Sequence, residues 1–153
     1  MSDTVLTANF FNYSSGEWKI DECSSYTQSG VSGVTQQPSN SLKAGDGVTT
    51  FQYEQNLGGT FVDGDAGIWC CWNNGTSRFG VKLWAPLQMF SLGTSPKWYY
   101  MSDTNLNSSD INWVYANDPA AQYTWPKSLG ANVVAVPDAE SSSLTLTVTI
   151  EDA

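Results

Sequence analysis

The end of the chain alternates strictly, with Leu144, Leu146, Val148 and Ile150 on one parity and Thr145, Thr147 and Thr149 on the other. Successive side chains of a strand point to opposite faces, so this segment is predicted as a half-buried β-strand with a β-branched solvent face. Shorter segments of the same kind run from Val5 to Tyr13, Glu17 to Cys23, Val48 to Glu54, Ala66 to Trp72, Arg78 to Trp84, Lys97 to Met101 and Asn132 to Val136. Turn residues separate them at Ser14-Ser15-Gly16, Ala44-Gly45-Asp46-Gly47, Leu57-Gly58-Gly59, Asp63-Gly64-Asp65, Asn73-Asn74-Gly75 and Leu92-Gly93-Thr94. The Asn74-Gly75 pair between two aromatic-rich segments is the clearest hairpin signal. Roughly eight short strands with no alternating helical partner predict an all-β fold, a single-domain, mainly antiparallel β-sandwich with at most one short helix.

Two stretches depart from this pattern. Tyr26 to Ala44 is long and rich in Ser, Gly and Gln, and is predicted as a surface excursion with a short strand around Val34. Ser109 to Tyr115 carries the chain's one passable helical turn, which Asp118-Pro119 would end. No internal repeat points to a propeller or solenoid.

Composition narrows this picture. At 153 residues the chain suits one domain, 1–153, with one core. Six Lys and Arg against 15 Asp and Glu give a formal charge of −9, which leaves no basic footprint for nucleic acid. There is no histidine, so Ser-His-Asp, Cys-His and zinc-histidine chemistries are excluded. Only 14% of residues are charged, and Ser, Thr and Asn cover the surface instead; 41% hydrophobic residues and seven Trp oppose disorder. The first residues, Met1 to Phe11, have neither a basic opening nor an uninterrupted apolar core, so they read as a mature start without a secretory signal peptide. Synthesis in the cytoplasm is expected, with release or extracellular action to follow, and no apolar run approaches the roughly 20 residues of a membrane-spanning helix.

Candidate reaction chemistry is thin. Asp63 and Asp65 flank Gly64, while Asp103, Asp110 and Asp118 lie in the C-terminal half; turn capping accounts for them more simply than a paired-carboxylate glycosidase site. The Asp63-Gly64-Asp65 run lacks the spaced oxygen ligands of a calcium loop, so neither a metal nor a cofactor is expected. Cys70 and Cys71 are adjacent and point to opposite faces of any strand, with no histidine to activate them. Buried free thiols are expected for Cys23, Cys70 and Cys71, the alternative being a bridge from Cys23 to one of its two partners. Three glycosylation sequons, at Asn12, Asn74 and Asn107, are read as products of an Asn- and Ser-rich chain. Binding is therefore expected rather than catalysis.

Aromatic residues carry the stronger signal. Trp69, Trp72, Phe79, Trp84, Phe90, Trp98, Tyr99 and Tyr100 crowd together, and Trp113, Tyr115, Tyr123 and Trp125 follow. Consecutive Trp98, Tyr99 and Tyr100 cannot all be buried on a strand with one solvent face, and Trp69 and Trp72 must point opposite ways. The candidate ligand-binding residues are Trp69, Trp72, Trp84, Trp98, Tyr99, Tyr100 and Trp113. Exposed Trp and Tyr suit either the headgroup level of a bilayer or stacking on sugar rings.

The order of Phe11-Asn12-Tyr13-Ser14-Ser15, then Gly30 to Gly33, Gln37-Pro38, Leu42-Lys43-Ala44-Gly45-Asp46 before the Phe51 segment, and Gly58-Gly59-Thr60 leading into a Trp-rich hairpin, resembles the aegerolysins and related small insecticidal crystal toxins. The likeness covers roughly residues 9 to 101. It implies an acidic β-sandwich that binds sphingolipids, with a larger pore-forming protein as partner. Where aegerolysins carry a Trp-Asp-Cys-Pro-Trp-Gly-Ser-like segment, this chain has Arg78-Phe79-Gly80-Val81-Lys82-Leu83-Trp84-Ala85-Pro86, so no individual lipid contact is carried over. The expectation is a non-enzymatic, cytolysin- or insecticidal-type protein that recognises zwitterionic or sphingolipid membranes through exposed aromatics. A carbohydrate-binding lectin is the first alternative, and a self-assembling crystal or storage protein the second.

Overall fold

The computed structural model describes residues 4–27, 32–55, 65–86, 96–109, 111–116, 121–140 and 143–153. Its strands are β1 (Thr4–Asn12), β2 (Trp18–Thr27), β3 (Ser32–Gln36), β4 (Ser41–Leu42), β5 (Val48–Gln55), β6 (Asp65–Asn73), β7 (Arg78–Pro86), β8 (Lys97–Met101), β9 (Trp113–Tyr115), β10 (Tyr123–Thr124), β11 (Asn132–Glu140) and β12 (Ser143–Glu151). They form two six-stranded sheets, β10-β11-β12-β1-β5-β3 in the first and β4-β2-β6-β7-β8-β9 in the second. The all-β sandwich expected from period-two alternation is the architecture observed.

Alternation fixes what lies between the sheets. On β12 the side chains of Leu144, Leu146, Val148 and Ile150 are completely buried, while the intervening threonines face outward. Leu6, Ala8 and Phe10 of β1 extend this apolar face, and Ile68, Cys70 and Trp72 of β6 with Phe79, Val81 and Leu83 of β7 supply the facing one. Phe10 meets Trp72 across the sandwich in an edge-on contact, ring centroids 5.3 Å apart. Trp125 packs on Phe79 and donates its indole N–H to the Met101 carbonyl at 2.8 Å, so this ring is buried without stranding its polar atom.

One pairing departs from the antiparallel rule. β1 lies parallel to β12, Leu6 opposite Leu144 through Asn12 opposite Ile150, which places the first and last strands side by side in mid-sheet. Just beyond, buried Asn12 donates to the carbonyls of Gly16 and Leu42 and accepts from the Ser14 amide and hydroxyl. The Asn12 amide is thus a fully used clamp between β1, the following turn and β4, with its nitrogen already committed. The Asn74-Gly75 hairpin joins β6 to β7 as expected; Gly75 adopts φ +93°, a region that favours glycine, and Asn74 accepts from the amides of Thr76 and Ser77.

Two local expectations are corrected. The helical turn read at Ser109 to Tyr115 is not formed: Trp113, Val114 and Tyr115 are strand β9, paired with Met101, Tyr100 and Tyr99. Two rings and a β-branched residue fit a pleated edge better than a helix, and β8 supplies the partner. Among the described residues the one helical element is a 3-10 turn at Lys127–Leu129. The stretch from Tyr26 to Ala44 is not one excursion either, since β3 joins β5 in the first sheet and β4 joins β2 in the second. The short strand foreseen at Val34 is β3. The turns foreseen at Leu57-Gly58-Gly59 and Leu92-Gly93-Thr94, most of Asp63-Gly64-Asp65, and the side chains Asp63, Phe90, Asp110 and Asp118 lie outside the described residues.

Candidate functional site

The outer face of the second sheet is built by register. Trp69 lies opposite Lys82, Lys82 opposite Tyr99, and Tyr99 opposite Tyr115, forming one row across β6 to β9. In the next row Tyr26 lies opposite Gly67, Gly67 opposite Trp84, and Trp84 opposite Lys97. Strand parity sends these side chains outward while Ile68, Leu83 and Trp98 point into the core. Each of them keeps part of its surface open to solvent.

The rings and lysines interlock. Lys82 Nζ lies 5.6 Å from the Tyr26 ring centroid, 6.0 Å from Trp69 and 5.7 Å from Tyr99. Lys97 Nζ lies 5.4 Å from Trp84 and 5.5 Å from Tyr115. Tyr99 and Tyr115 touch at a centroid distance of 5.4 Å, tilted by 38°. At this range an ammonium is attracted by the ring quadrupole, and the lysine stems cover apolar area between rings. Two of the chain's six basic residues therefore sit in this one aromatic surface.

Carboxylates anchor the polar ring edges. Asp65 accepts from the Trp84 indole N–H at 2.7 Å and from the Tyr26 hydroxyl at 3.1 Å, and Glu22 accepts from the Trp69 indole at 3.2 Å. Burial, followed by the Asp65 charge, raises the Tyr26 phenol above its ordinary value; burial and then Tyr115 do the same for Tyr99. Both hydroxyls stay protonated donors at neutral pH. The surface offers π faces, ammonium groups, phenol donors and carboxylate acceptors together.

Of the residues singled out from sequence, Trp69, Trp84 and Tyr99 meet in this face. Trp113 shares it farther along, opposite Met101, half-buried. Trp72 and Trp98 do not belong: both are completely buried, because their parity faces the first sheet, and Trp72 packs on Phe10. Tyr100 points to the inner side, stacking on Tyr123. Sequence reading missed Tyr26, Asp65, Lys82, Lys97 and Tyr115 as members. The signal was present in the spacings Lys82-x-Trp84 and Lys97-x-Tyr99, which put cation and ring on one strand face.

The thiols are distributed as the alternation requires, all three free, with Cys70 and Cys71 buried and Cys23 partly so. Among the described residues no three Cys, Asp or Glu side chains gather to hold a metal ion, and no helix is long and apolar enough to cross a membrane. Compared with known protein families and with curated proteins, the chain matches none.

Proposed function

We propose that the protein is a non-catalytic membrane-lipid recognition module that docks through the outer face of its second sheet. The observation that carries this reading is the set of partly exposed rings Tyr26, Trp69, Trp84, Tyr99 and Tyr115 interleaved with Lys82 and Lys97. Trp and Tyr rings rest at the headgroup level of a bilayer, where body and polar edge are both satisfied, and lysine ammoniums reach lipid phosphates. The face is a shallow surface rather than a protruding wedge: the large apolar side chains most exposed among the described residues, Tyr13, Val48 and Val136, lie elsewhere. Docking at headgroup depth is the mode it fits. A charge of −9 repels anionic lipid, which directs the face toward zwitterionic or sphingolipid headgroups.

Liposome co-sedimentation across lipid compositions, with tryptophan emission recorded, tests this. Pelleting with zwitterionic vesicles and a blue shift, both lost in a Trp69→Ala/Tyr99→Ala double variant, are expected. Soluble protein and unshifted emission with every neutral composition would sink the proposal. A second reading, a lectin, is favoured by Asp65 and Glu22 beside the ring edges, where carboxylate oxygens can accept from sugar hydroxyls. Glycan-array binding lost in the same double variant, without vesicle binding, would select it.

A further inference from the structure

A concavity of about 140 Å³ opens at the edge where the second sheet ends in β9 and the first begins with β10. Its walls are Trp98 and Tyr100 from β8, Tyr115 from β9 and Tyr123 from β10, with Gln122 and two alanines completing it. The aromatic walls are braced. Tyr100 and Tyr123 stack at 3.6 Å, and Trp125 sets its edge against both. Trp98 is completely buried, and its indole N–H has no partner among the described residues. Among the described residues that line the space there is no carboxylate, ammonium or guanidinium.

Size and chemistry restrict the occupant. Pockets for drug-sized ligands span roughly 300–1,000 Å³, so this one takes a compact group and not an acyl chain or a whole oligosaccharide. A primary ammonium or a sugar hydroxyl brings N–H or O–H donors that need acceptors, and the side-chain acceptors of these described walls are only the uncharged phenol and Gln122 oxygens. A quaternary ammonium has no N–H to satisfy and gains directly from π faces. The net charge of −9 draws cations toward the protein. Tyr115 also continues onto the outer face, where Lys97 Nζ lies 5.5 Å from its ring centroid. A lone cation in the cavity would feel that ammonium as a like charge, whereas a ligand carrying an anion next to its cation would not.

We propose that this cavity receives the quaternary ammonium of a phosphocholine group, with Lys97, 5.5 Å from the Tyr115 ring centroid, attracting the phosphate. The proposal rests on the membrane reading only for the source of the group, which is either a lipid headgroup or free phosphocholine. The cavity chemistry stands independently of that reading.

The test uses the full chain and three soluble probes: phosphocholine, choline and 3,3-dimethylbutan-1-ol, the uncharged carbon analogue of choline. Titrations followed by the Trp98 indole NMR signal are expected to show choline binding about tenfold tighter than the analogue. Phosphocholine should bind tighter than choline, and Lys97→Met should erase that difference by weakening phosphocholine and modestly strengthening choline, which no longer meets a like charge. Gln122→Trp, at an exposed position where folding is not at risk, should block the cavity and weaken both ligands at least about tenfold. Equal affinity for choline and its analogue, or phosphocholine binding untouched by Gln122→Trp, would overturn the proposal. Vesicles separate the sources: phosphatidylcholine or sphingomyelin is compared with ceramide phosphoethanolamine, which lacks the methyl groups. Pelleting that ignores the methyl groups and Gln122→Trp, together with no binding of soluble phosphocholine, removes the cavity proposal and leaves the outer-face reading standing. Soluble phosphocholine binding with no pelleting on any vesicle does the reverse.

Discussion

Tyr100 of the second sheet lies nearly flat against Tyr123 of the first, ring centroids 3.6 Å apart and planes 13° from parallel. The pair closes the edge of the sandwich that neither edge strand covers alone, since β9 and β10 are only three and two residues long. Trp125 meets both rings edge-on, so the three form one cross-sheet cluster. Tyr123→Ala removes the stack and the apolar area beneath it, at a cost of about 2 kcal/mol. For a domain of this size that corresponds to a fall in Tm of about 5 °C. Calorimetry measures it, and an unchanged Tm would show that the edge is held by the backbone alone.

Gly67 provides the space that Tyr26 occupies. A Cβ placed on it would lie 2.7 Å from Tyr26 Cε1 and 3.0 Å from the Leu83 carbonyl, so Gly67→Ala must push the Tyr26 ring off the sheet. Lys82 then loses one of its three rings and Asp65 loses the Tyr26 hydroxyl. The expected outcome is vesicle or glycan binding reduced several-fold, with no aromatic residue removed and a stability loss of about 1–3 kcal/mol from overpacking. Binding at wild-type level would show that Tyr26 is a bystander in this face.

Much of the fold was legible because parity is local. The alternation at the end of the chain set the buried face of β12, and the odd separation of Trp69 and Trp72 sent one ring out and the other into the core. That at least one of Trp98, Tyr99 and Tyr100 must leave the core was also readable; that it is Tyr99 depends on its register with Lys82. Such register is long-range, and no local pattern carries it. The same limit hid the parallel pairing of β1 with β12, and it made Trp113-Val114-Tyr115 look like a helical turn until β8 supplied its hydrogen-bonding edge. The binding face was half visible for this reason: its rings stood out by composition and its lysines share strand parity with Trp84 and Tyr99, but Tyr26 joins it, and the rows line up, only through cross-strand register.

Cys23 and Cys70 sit directly opposite one another on β2 and β6, and their thiols share a hydrogen bond that lowers the Cys23 pKa. Opposed antiparallel residues have Cα atoms about 4.5–5.5 Å apart, within the range a disulfide spans. A diazene oxidant such as diamide is expected to link them, taking two electrons and two protons from the thiols, so that the native mass falls by two hydrogens. Cys71 faces the other way. Burial, then Glu22 and Asp21, push its thiol up to about 12, so it should resist alkylation until the protein unfolds. Mass-mapped labelling decides the point: native Cys71 reacting first, or Cys23 and Cys70 still alkylating after oxidation, contradicts the assignment.

Alkaline pH should unfold the protein earlier than acid–base chemistry of exposed groups would suggest. Burial raises the phenols of Tyr26, Tyr99 and Tyr123, with Asp65, Tyr115 and Tyr100 respectively adding to it, and burial likewise raises the Cys70 and Cys71 thiols. In every case the neutral, protonated form is the one the fold prefers, so the unfolded chain releases its protons first. The unfolded state then binds fewer protons than the native state, and stability falls as pH rises. The stabilisation is fully present below the ordinary thiol and phenol values of about 8.5 and 10 and is lost progressively above them. Urea midpoints should therefore hold steady from about pH 7 to about pH 8 and decline toward about pH 11. Tyr26→Phe removes the contribution of the phenol tied to Asp65 and should flatten the decline above about pH 10. Midpoints that stay constant throughout, or a Tyr26→Phe profile parallel to the wild type, would mean that these hydroxyls titrate as freely in the folded face as in the open chain.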